Sequence, residues 1–351
     1  MTDTTPKVLL PLPTLNPLVA RLSPVGIMEH SIGATPEASL GHCVDDAGRA
    51  LGMAAFLPDD PNAERLALAC MHQILRSRTN VGTLSLRLDA NGEQTDDPPS
   101  DDATSRALWG LALVSVRFGS RAIRQIASQQ LESLRRFRSP YPRAAAQAVL
   151  AACVLLEVTP SSLVGIELLA NNLGAVPRRN LDGNWFWPEE RLTYSNALLP
   201  EALMAAGQVL REPSLVSDGL RQLAWLIEIE RPSYGHFSFT PVGGRGPGER
   251  GGFDQQPIEA WAMASACARA HAFDADPLWS ESALRAARWF AGDNDTGDVM
   301  WDHETGASFD GLTAKGPNRN QGAESSISLI GTVLAATSAT EGRLVTTSLL
   351  Q

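Results

Sequence analysis

The sequence predicts an all-α fold, an (α/α)6 barrel built from helical hairpins. A polar signature, mostly of carboxylates or amides, recurs six times, each time at the start of an apolar helix. The intervals are roughly forty to sixty-five residues, the length of one helical hairpin plus a loop. Within each pair of helices, the first is the more apolar. The six signatures begin at Cys43, Ser100, Ser139, Tyr194, Phe253 and Asn320.

Apolar periodicity and turn residues divide the chain into five helix pairs and a sixth helix start near Gly322. Leu344–Gln351 is too short for a sixth partner, so either an N-terminal helix completes the ring or the ring stays partly open. We expect residues 1–351 to form a single barrel domain, with residues 1–30 as an irregular N-terminal wrap. The predicted pairs are Cys43–Phe56 with Asn62–Arg78, Asp102–Phe118 with Ser120–Phe137, Arg143–Glu157 with Ser161–Leu173, Asn196–Leu210 with Ser214–Glu230, and Gln255–Ala270 with Pro277–Phe290.

The two helices of a pair differ in how their apolar residues are distributed. Ala144–Leu156 is almost continuously apolar, whereas Leu131–Phe137 has an i, i+3 apolar stripe with basic residues between. A helix that is apolar on every side is buried on every side, and an amphipathic helix faces water. The first helices therefore form the predicted inner ring, and the second helices form the outer ring.

Long connections with strand-like segments precede the inner-helix starts. Thr83–Leu88 alternates in polarity and continues into Asp89–Gly92, a pattern typical of a β-hairpin. Long ordered loops in a compact domain are more often functional than accidental. We therefore expect these loops to crown the end of the barrel where the polar signatures emerge. Comparable segments are Gly183–Pro188, Gly235–Phe239 and Asp298–His303.

Composition restricts the partners and the compartment. The net charge of −10 argues against nucleic acid or an anionic membrane as partner, because both bind clustered Lys and Arg. No apolar run is long enough for a membrane span, and no signal peptide is recognisable. Four scattered cysteines without a CxxC motif, Cys43, Cys70, Cys153 and Cys267, indicate buried thiols in a reducing compartment. We expect a cytoplasmic protein; its oligomeric state stays open.

Acidic residues are concentrated at the helix starts, in the pairs Asp45–Asp46 and Asp101–Asp102. One interpretation is capping, since Asp at an N-terminus satisfies backbone N–H groups and complements the helix dipole. One cap explains one Asp per helix and leaves the doubled acids unexplained. Arg49 and Arg106 lie on the same helix face as these acids, where each either orients a cap or holds a carboxylate for a substrate. Later signatures add Glu201, Glu259 and Glu324.

Carboxylates from opposite sides of such a ring suit cleavage of a glycosidic bond. One carboxyl group protonates the leaving oxygen, and the other activates water or attacks carbon. We predict Glu324 as the acid, flanked by amides and by Gly322, and Asp102 or Asp254 as the base. The predicted substrate-binding residues are Asp45, Asp46, Arg49, Arg106, Trp185, Trp187, Asn196, Glu201, Gln255, Gln256, Glu259, Trp301, His303, Asn320 and Gln321.

Aromatic residues occur in two settings. Trp185, Phe186, Trp187 and Trp301 lie in the predicted crown loops, where an indole either stacks on the apolar face of a sugar or packs back on the core. The other tryptophans lie within helices and are predicted to be core residues: Trp109, Trp225, Trp261, Trp279 and Trp289.

Signals for metals and nucleotides are weak. Asp293–Asp298 resembles a calcium loop but lacks the spacing and the terminal Glu, so we interpret it as a turn. The glycine-rich segment Pro241–Gly252 lacks the Walker spacing and is either a lid or a mobile connector. We therefore predict no metal and no cofactor.

Taken in order, the signatures resemble a family of six-hairpin-glycosidase-like proteins over about residues 25–335. The blocks that carry the resemblance are Gly26–His30 with Gly41–Leu51, Asp102–Gly110, Tyr194–Leu203, Phe253–Ala260 and Asp310–Ser325. The resemblance implies an (α/α)6 barrel that handles carbohydrate. It also implies a functional association with a glycosyltransferase, since members are often encoded beside or fused to glycosyltransferases and mannoside-processing enzymes. The chain departs from the pattern at Ala47–Gly48, where an Asn is expected after the acidic pair.

We therefore expect an inverting glycoside hydrolase acting on an oligosaccharide or glycoconjugate. Fold alone does not determine function, and two alternatives stay open. A sugar epimerase would need histidines on the inner helices, where only His42 and His271 fall, at a helix start and a helix end. A non-catalytic glycan-binding partner of a glycosyltransferase would keep the aromatic residues and tolerate loss of the acids.

Overall fold

The computed structural model describes residues 10–96, 98–178, 185–232 and 235–341. In these ranges the chain forms twelve α-helices and three short antiparallel strand pairs. The helices are α1 Asn16–Val19, α2 Val44–Phe56, α3 Ala63–Arg76, α4 Asp101–Arg117, α5 Arg121–Leu134, α6 Pro142–Val158, α7 Leu163–Asn172, α8 Leu198–Leu210, α9 Pro213–Glu230, α10 Pro257–Phe273, α11 Pro277–Phe290 and α12 Ala323–Thr340. The strand pairs are β1 Ser31–Ile32 with β2 Thr35–Pro36, β3 His42–Cys43 with β4 Arg87–Leu88, and β5 Gly311–Thr313 with β6 Gly316–Asn318.

Every second helix belongs to a closed inner ring. Helices α2, α4, α6, α8, α10 and α12 each contact the next, and α12 contacts α2. Helices α3, α5, α7, α9 and α11 pack outside, each against the inner helix that precedes it. The predicted (α/α)6 barrel is confirmed.

Burial follows the predicted division between the two rings. Inner helix α6 buries thirteen of its seventeen residues, whereas outer helix α5 buries five of its fourteen. The buried apolar residues of the described chain form one cluster that includes residues of every helix from α1 to α12. The inner helices are thus enclosed by protein, which explains why their sequences are apolar on nearly every side.

The N-terminal segment closes the ring. Helix α1 contacts both α12 and α3, in the place of the sixth outer helix. The Ala323 N–H donates to the Glu29 carbonyl over 2.9 Å, which ties the segment to the start of α12. Of the two alternatives predicted for the ring, completion by an N-terminal helix is the one observed. Leu344–Gln351 and residues 1–9 lie outside the described residues.

The predicted loops differ in detail from the structure. The predicted turn at Asp89–Gly92 does form a hairpin, since Leu88 bridges to Gln94 in antiparallel orientation. In addition, β4 pairs with β3, so that Leu88 lies opposite His42. Two inner helices begin later than predicted, because Asn196 and Gln255 hydrogen-bond to loop residues instead of entering a helix. The part of the predicted Gly183–Pro188 segment before Trp185 lies outside the described residues.

Two further observations concern the chain as a whole. No helix in the described ranges is long and apolar enough to cross a membrane. The four cysteines are buried free thiols, as predicted.

Candidate functional site

Arg49 joins the starts of α2 and α12 at one end of the barrel. Its Nη1 lies 2.9 Å from the Asp46 Oδ1 and 2.8 Å from the Glu324 Oε2. Its Nη2 lies 3.8 Å from the Asp45 Oδ2. Because Arg49 follows the acidic pair by one helical turn, its guanidinium group lies beside both carboxylates and reaches the neighbouring helix.

Arg106 extends this arrangement to α4. Its Nη1 donates a hydrogen bond to the Asp45 Oδ2 and lies 3.9 Å from the Asp102 Oδ2. Carboxylates and guanidinium groups therefore alternate from α12 through α2 to α4. We call this set the mouth chain; its members are Glu324, Arg49, Asp46, Asp45, Arg106 and Asp102.

The carboxylates of the mouth chain differ in exposure. The side chains of Asp46 and Asp45 are 3 % and 11 % exposed, whereas those of Glu324 and Asp102 are 38 % and 33 % exposed. Burial raises the pKa of Asp45 and Asp46, and the neighbouring arginines oppose that rise. The two ends of the mouth chain are accessible to a ligand, and its middle is enclosed.

Capping does not account for the acidic pairs. The residue at the N-cap of α2 is Cys43, and the N-cap of α4 is Ser100, whose hydroxyl accepts the Ala103 N–H over 3.2 Å. At α4 the first acid of the pair, Asp101, accepts a 2.7 Å hydrogen bond from the Ser139 hydroxyl. Both acids at α2 and the second acid at α4, Asp102, therefore belong to the mouth chain.

Gly48 allows α2 and α4 to approach closely. A Cβ atom at Gly48 would lie 2.5 Å from the carbonyl carbon of Arg106, and one at Gly110 would lie 2.2 Å from the Gly48 oxygen. Such distances exclude any side chain without movement of a backbone. Gly48 thus has a packing reason, and the close approach that it allows brings Arg106 within reach of Asp45.

A second network continues the polar end of the barrel past α4. The Tyr194 hydroxyl donates to the Asp102 Oδ2 over 2.7 Å, and burial raises the pKa of this phenol, so it stays a donor. Arg143 of α6 donates to the Asn196 Oδ1 over 3.0 Å and to the Glu189 Oε1 over 2.6 Å. The starts of α4 and α6 are therefore connected through the segment before α8.

Glu259 of α10 binds the segment before α8 through hydrogen bonds. Its carboxylate accepts the backbone N–H groups of Ser195 and Asn196, the latter over 3.2 Å. Burial, and next the charge of Glu230, raise the pKa of Glu259. Burial likewise raises the pKa of Glu230, which accepts a 2.6 Å hydrogen bond from the Thr240 hydroxyl. Glu259 positions the loop before α8 and is 97 % buried, so it is not open to a ligand.

A cavity of about 110 Å³ runs from the mouth chain into the barrel. All six inner helices line it, and its walls include the aromatic rings of Phe56, Trp109 and Trp261. The centroid of the Trp109 ring lies 5.9 Å from that of Phe56 and 5.9 Å from that of Trp261. The prediction that every helical tryptophan is a core residue is therefore incomplete, since two of them line the cavity.

The loop tryptophans are not placed as the sugar-stacking interpretation predicts. Trp187 is fully buried and stacks on Trp225, with ring centroids 6.0 Å apart. Trp185 packs edge-on against the same ring at 4.9 Å. Trp301 is 9 % exposed and lies 4.0 Å from the ring of His303, which is exposed. For Trp187 the structure shows the packing alternative, because no face of its indole is open.

Several predicted site residues hold loops instead of lining the cavity. Asp254, a predicted base, is exposed and lies outside the cavity lining. Gln255 bonds Asp295 through its amide nitrogen over 2.5 Å, while Gln256 is the N-cap of α10. The polar residues before α12 also hold loops. Asn320 accepts the Gly33 N–H over 3.0 Å, and Gln321 donates to Asp302 over 2.8 Å.

Glu201 lies within the cavity, away from the mouth chain. It lines the wall and pairs with Arg269 of α10, whose Nε is 3.6 Å from the Glu201 Oε1. Burial raises the pKa of Glu201. In the described ranges no cluster of three or more His, Cys, Asp or Glu side chains is arranged to hold a metal ion.

No family model matches the sequence, and no curated protein matches it. Solved structures match its fold at low sequence identity. A cellobiose 2-epimerase from Bacillus thermoamylovorans has a TM-score of 0.72 at 10 % identity, covering 93 % of this chain and 96 % of that chain. A D-mannose isomerase has a TM-score of 0.66 at 12 % identity, covering 92 % and 94 %. A cellulase of C. cellulolyticum in complex with cellobiose has a TM-score of 0.59 at 11 % identity, covering 90 % and 88 %.

The fold and the site together define a class. This is an (α/α)6-barrel protein with a charged mouth above an aromatic-walled axial cavity. The likeness to the solved structures is one of fold.

Proposed function

We propose that this protein is a carbohydrate-active enzyme, an inverting glycoside hydrolase that cleaves an oligosaccharide or glycoconjugate at the barrel mouth. One observation carries the proposal. The mouth chain ends in two accessible carboxylates, Glu324 and Asp102, and each lies beside an arginine that lines the cavity. Glycoside hydrolysis needs two such groups at one opening.

We assign the acid role to Glu324 and the base role to Asp102. Of the four carboxylates in the mouth chain, these two are the accessible ones. Glu324 would give its proton to the leaving glycosidic oxygen. Asp102, with Tyr194 fixing one of its oxygens, would take a proton from the attacking water.

Inversion fits the separation of the two groups along the mouth chain. Arg49, Asp45 and Arg106 intervene between Glu324 and Asp102, and the two acids belong to helices on either side of α2. An inverting enzyme places its carboxyl groups about 6.5–9.5 Å apart to admit water, whereas a retaining enzyme needs about 5–5.5 Å. The intervening residues support the wider spacing.

Asp254 is the weaker candidate for the base. It is exposed and lies outside the cavity lining, whereas Asp102 contacts an arginine of that lining. The likeness in fold to a cellulase solved with cellobiose supports a saccharide substrate.

Epimerisation is the second candidate, because the fold also matches a cellobiose 2-epimerase. The histidines disfavour it. His42 lies in β3 and bonds Ser23 over 2.7 Å, while His271 lies in the last turn of α10, and neither lines the cavity. A non-catalytic glycan-binding partner of a glycosyltransferase is the remaining alternative.

The test is a panel of mannosides, glucosides and their oligomers, assayed by NMR for cleavage, anomeric outcome and epimerisation. Glu324→Gln and Asp102→Asn should each lower turnover by about 10²–10⁴-fold while leaving substrate binding within a few-fold. Asp254→Asn is the matched control and should retain wild-type turnover. Epimerised product without cleavage would favour the second candidate. Binding without turnover, unaffected by either substitution, would contradict an enzyme.

A further inference from the structure

The wall of the axial cavity is mostly apolar. Besides the aromatic rings of Phe56, Trp109 and Trp261, it consists largely of aliphatic side chains from α4, α6, α8, α10 and α12. A hydroxyl group moved from water to an apolar wall without a hydrogen-bond partner is destabilised by at least about 1–3 kcal/mol. A flat apolar group therefore matches the apolar part of this wall.

Arg269 is a charged residue that lies deep in this mostly apolar wall. Its position on α10 is ten residues beyond Glu259, about 15 Å further from the mouth at 1.5 Å per residue. The residue is 5 % exposed, and it lines the cavity. Its Nε lies 3.6 Å from the Glu201 Oε1, and its Nη1 lies 3.7 Å from the Glu157 Oε1.

The distances from Arg269 to Glu157 and Glu201 are typical of ion pairs and are longer than a hydrogen bond. Neither Nε nor Nη1 of Arg269 has a hydrogen-bond partner among the described residues, and the same holds for the Ser338 hydroxyl. Ser338 lies on α12, is 5 % exposed and lines the same cavity. Buried donors are nearly always satisfied in native proteins, so these groups indicate a place for a ligand oxygen.

The charges around Arg269 indicate that the ligand oxygen at this place is uncharged. Glu157 and Glu201 already face the guanidinium group, and they balance the charges of Arg269 and nearby Arg117. A ligand carboxylate would add a third negative charge to this group. A neutral acceptor, such as a carbonyl oxygen, takes the free N–H groups without that repulsion.

The size of the cavity limits the apolar group. Its volume of about 110 Å³ is of the order of the ~150 Å³ cavity that holds a benzene molecule in an engineered protein. One aromatic ring therefore fits in the cavity beside the indoles of Trp109 and Trp261, and a long acyl chain does not.

We propose that the axial cavity is a second ligand site, separate from the mouth chain, which holds a single-ring apolar group whose neutral acceptor oxygen binds Arg269 and Ser338. The site goes beyond the proposed function, because Ser338 lies fourteen residues beyond Glu324 on α12, about 21 Å at 1.5 Å per residue. A single ring is too short to span that distance, so the ligand of this site is a molecule separate from the saccharide at the mouth.

The experiment measures binding of acetophenone, a single ring with a neutral carbonyl, by saturation-transfer NMR and calorimetry. Wild-type protein should bind it saturably, and phenylacetate should bind more weakly. Arg269→Gln should weaken acetophenone binding by about tenfold or more, since a hydrogen bond from a charged donor is lost. Ala335→Leu, which fills the cavity, should abolish it. Arg121→Gln, an exposed matched control, should bind as wild type does.

Removal of Arg269 takes the paired guanidinium group from two partly buried carboxylates, Glu157 and Glu201, so folding of that variant is checked by circular dichroism. Ser338→Ala, which removes only a hydroxyl, gives an independent measurement and should weaken binding by a few-fold. The inference is overturned if acetophenone does not bind, if Ala335→Leu leaves its binding unchanged, or if phenylacetate binds more tightly.

The probe contains no glycosidic bond, so its binding does not depend on hydrolysis. Binding of acetophenone without cleavage of any glycoside would reject the proposed function and leave the cavity as a site for aryl ketones. Cleavage of a glycoside, together with no acetophenone binding, would reject the site in the axial cavity alone.

Discussion

Arg106 of α4 donates a hydrogen bond to Asp45 of α2, sixty-one positions earlier in the chain. Both residues are buried, at 7 % and 8 % exposed. The contact joins the first helical hairpin to the second at the end of the barrel where the accessible carboxylates lie. One interaction thus supports both the ring and the arrangement of the proposed site.

Replacing Arg106 by Gln should destabilise the fold by about 3 kcal/mol, because Asp45 would keep a buried charge with only Arg49, 3.8 Å away, to balance it. Urea unfolding followed by circular dichroism measures the change. The double variant Asp45→Asn/Arg106→Gln should recover part of the loss, since it removes both charges. Equal stability of the single and double variants would contradict direct coupling between the two residues.

Gly48→Ala should destabilise the protein by about 1–3 kcal/mol, because the new methyl group overlaps the backbone of Arg106. Thermal unfolding at fixed pH provides the measurement. Gly119→Ala is the control, since a Cβ there meets nothing within 4 Å. If the two variants have the same melting temperature, then the close approach of α2 and α4 does not contribute to stability.

Stability should fall as pH rises from 4.5 to about 8. The pKa values of Glu259 and Glu230 are raised by burial above the ordinary value of 4.5, so the folded state binds protons more tightly than the unfolded state. The stabilisation from these groups is therefore complete below pH 4.5 and lost as pH rises through their folded-state values. Urea midpoints at pH 5, 6, 7 and 8 measure the slope.

Glu230→Gln sharpens this test of pH dependence. The amide keeps an oxygen to accept the Thr240 hydrogen bonds and removes the charge that raises the pKa of Glu259. The slope of stability against pH should become shallower, while Glu281→Gln, at an exposed position, should leave it unchanged. An unaltered slope in Glu230→Gln would show that other groups cause the pH dependence.

Tyr194→Phe should lower kcat by about tenfold with little change in KM. The phenol donates to Asp102 but lies outside the cavity lining, so its loss should affect the orientation of the proposed base more than substrate binding. Steady-state kinetics on a cleaved glycoside measures both constants. Tyr141→Phe, at a residue that is 65 % exposed, is the matched control. A change in KM alone would assign Tyr194 to substrate binding.

The ring of helices was predictable from the sequence because its signals are local. Apolar periodicity over Ala144–Leu156 and turn residues between helices depend only on neighbouring positions. The starts of α8 and α10 were placed two residues early, since Asn196 and Gln255 form tertiary hydrogen bonds that local pattern does not contain. The doubled acids of α2 form ion pairs with Arg49 and Arg106.

The interior of the site was less predictable. The pairing of Asp45 with Arg106 depends on the packing of α2 against α4, and Gly48, which permits it, was visible only as a departure from a family pattern. Trp109 and Trp261 have the sequence surroundings of core residues, and only the axial gap between inner helices makes them cavity walls. Small neighbours are a signal that the two tryptophans share, since Trp109 precedes Gly110 and Trp261 lies between Ala260 and Ala262.

The contact of α12 with α2 has a consequence for biosynthesis. The first inner helix begins at Val44 and its neighbour ends at Thr340, so a ribosome must add almost three hundred residues between them. At about 5–20 residues per second, the nascent chain waits roughly 15–60 s with one side of α2 uncovered. Until the last hairpin is released, the partly made ring is an open arc with an apolar edge, which is the state a chaperone would recognise.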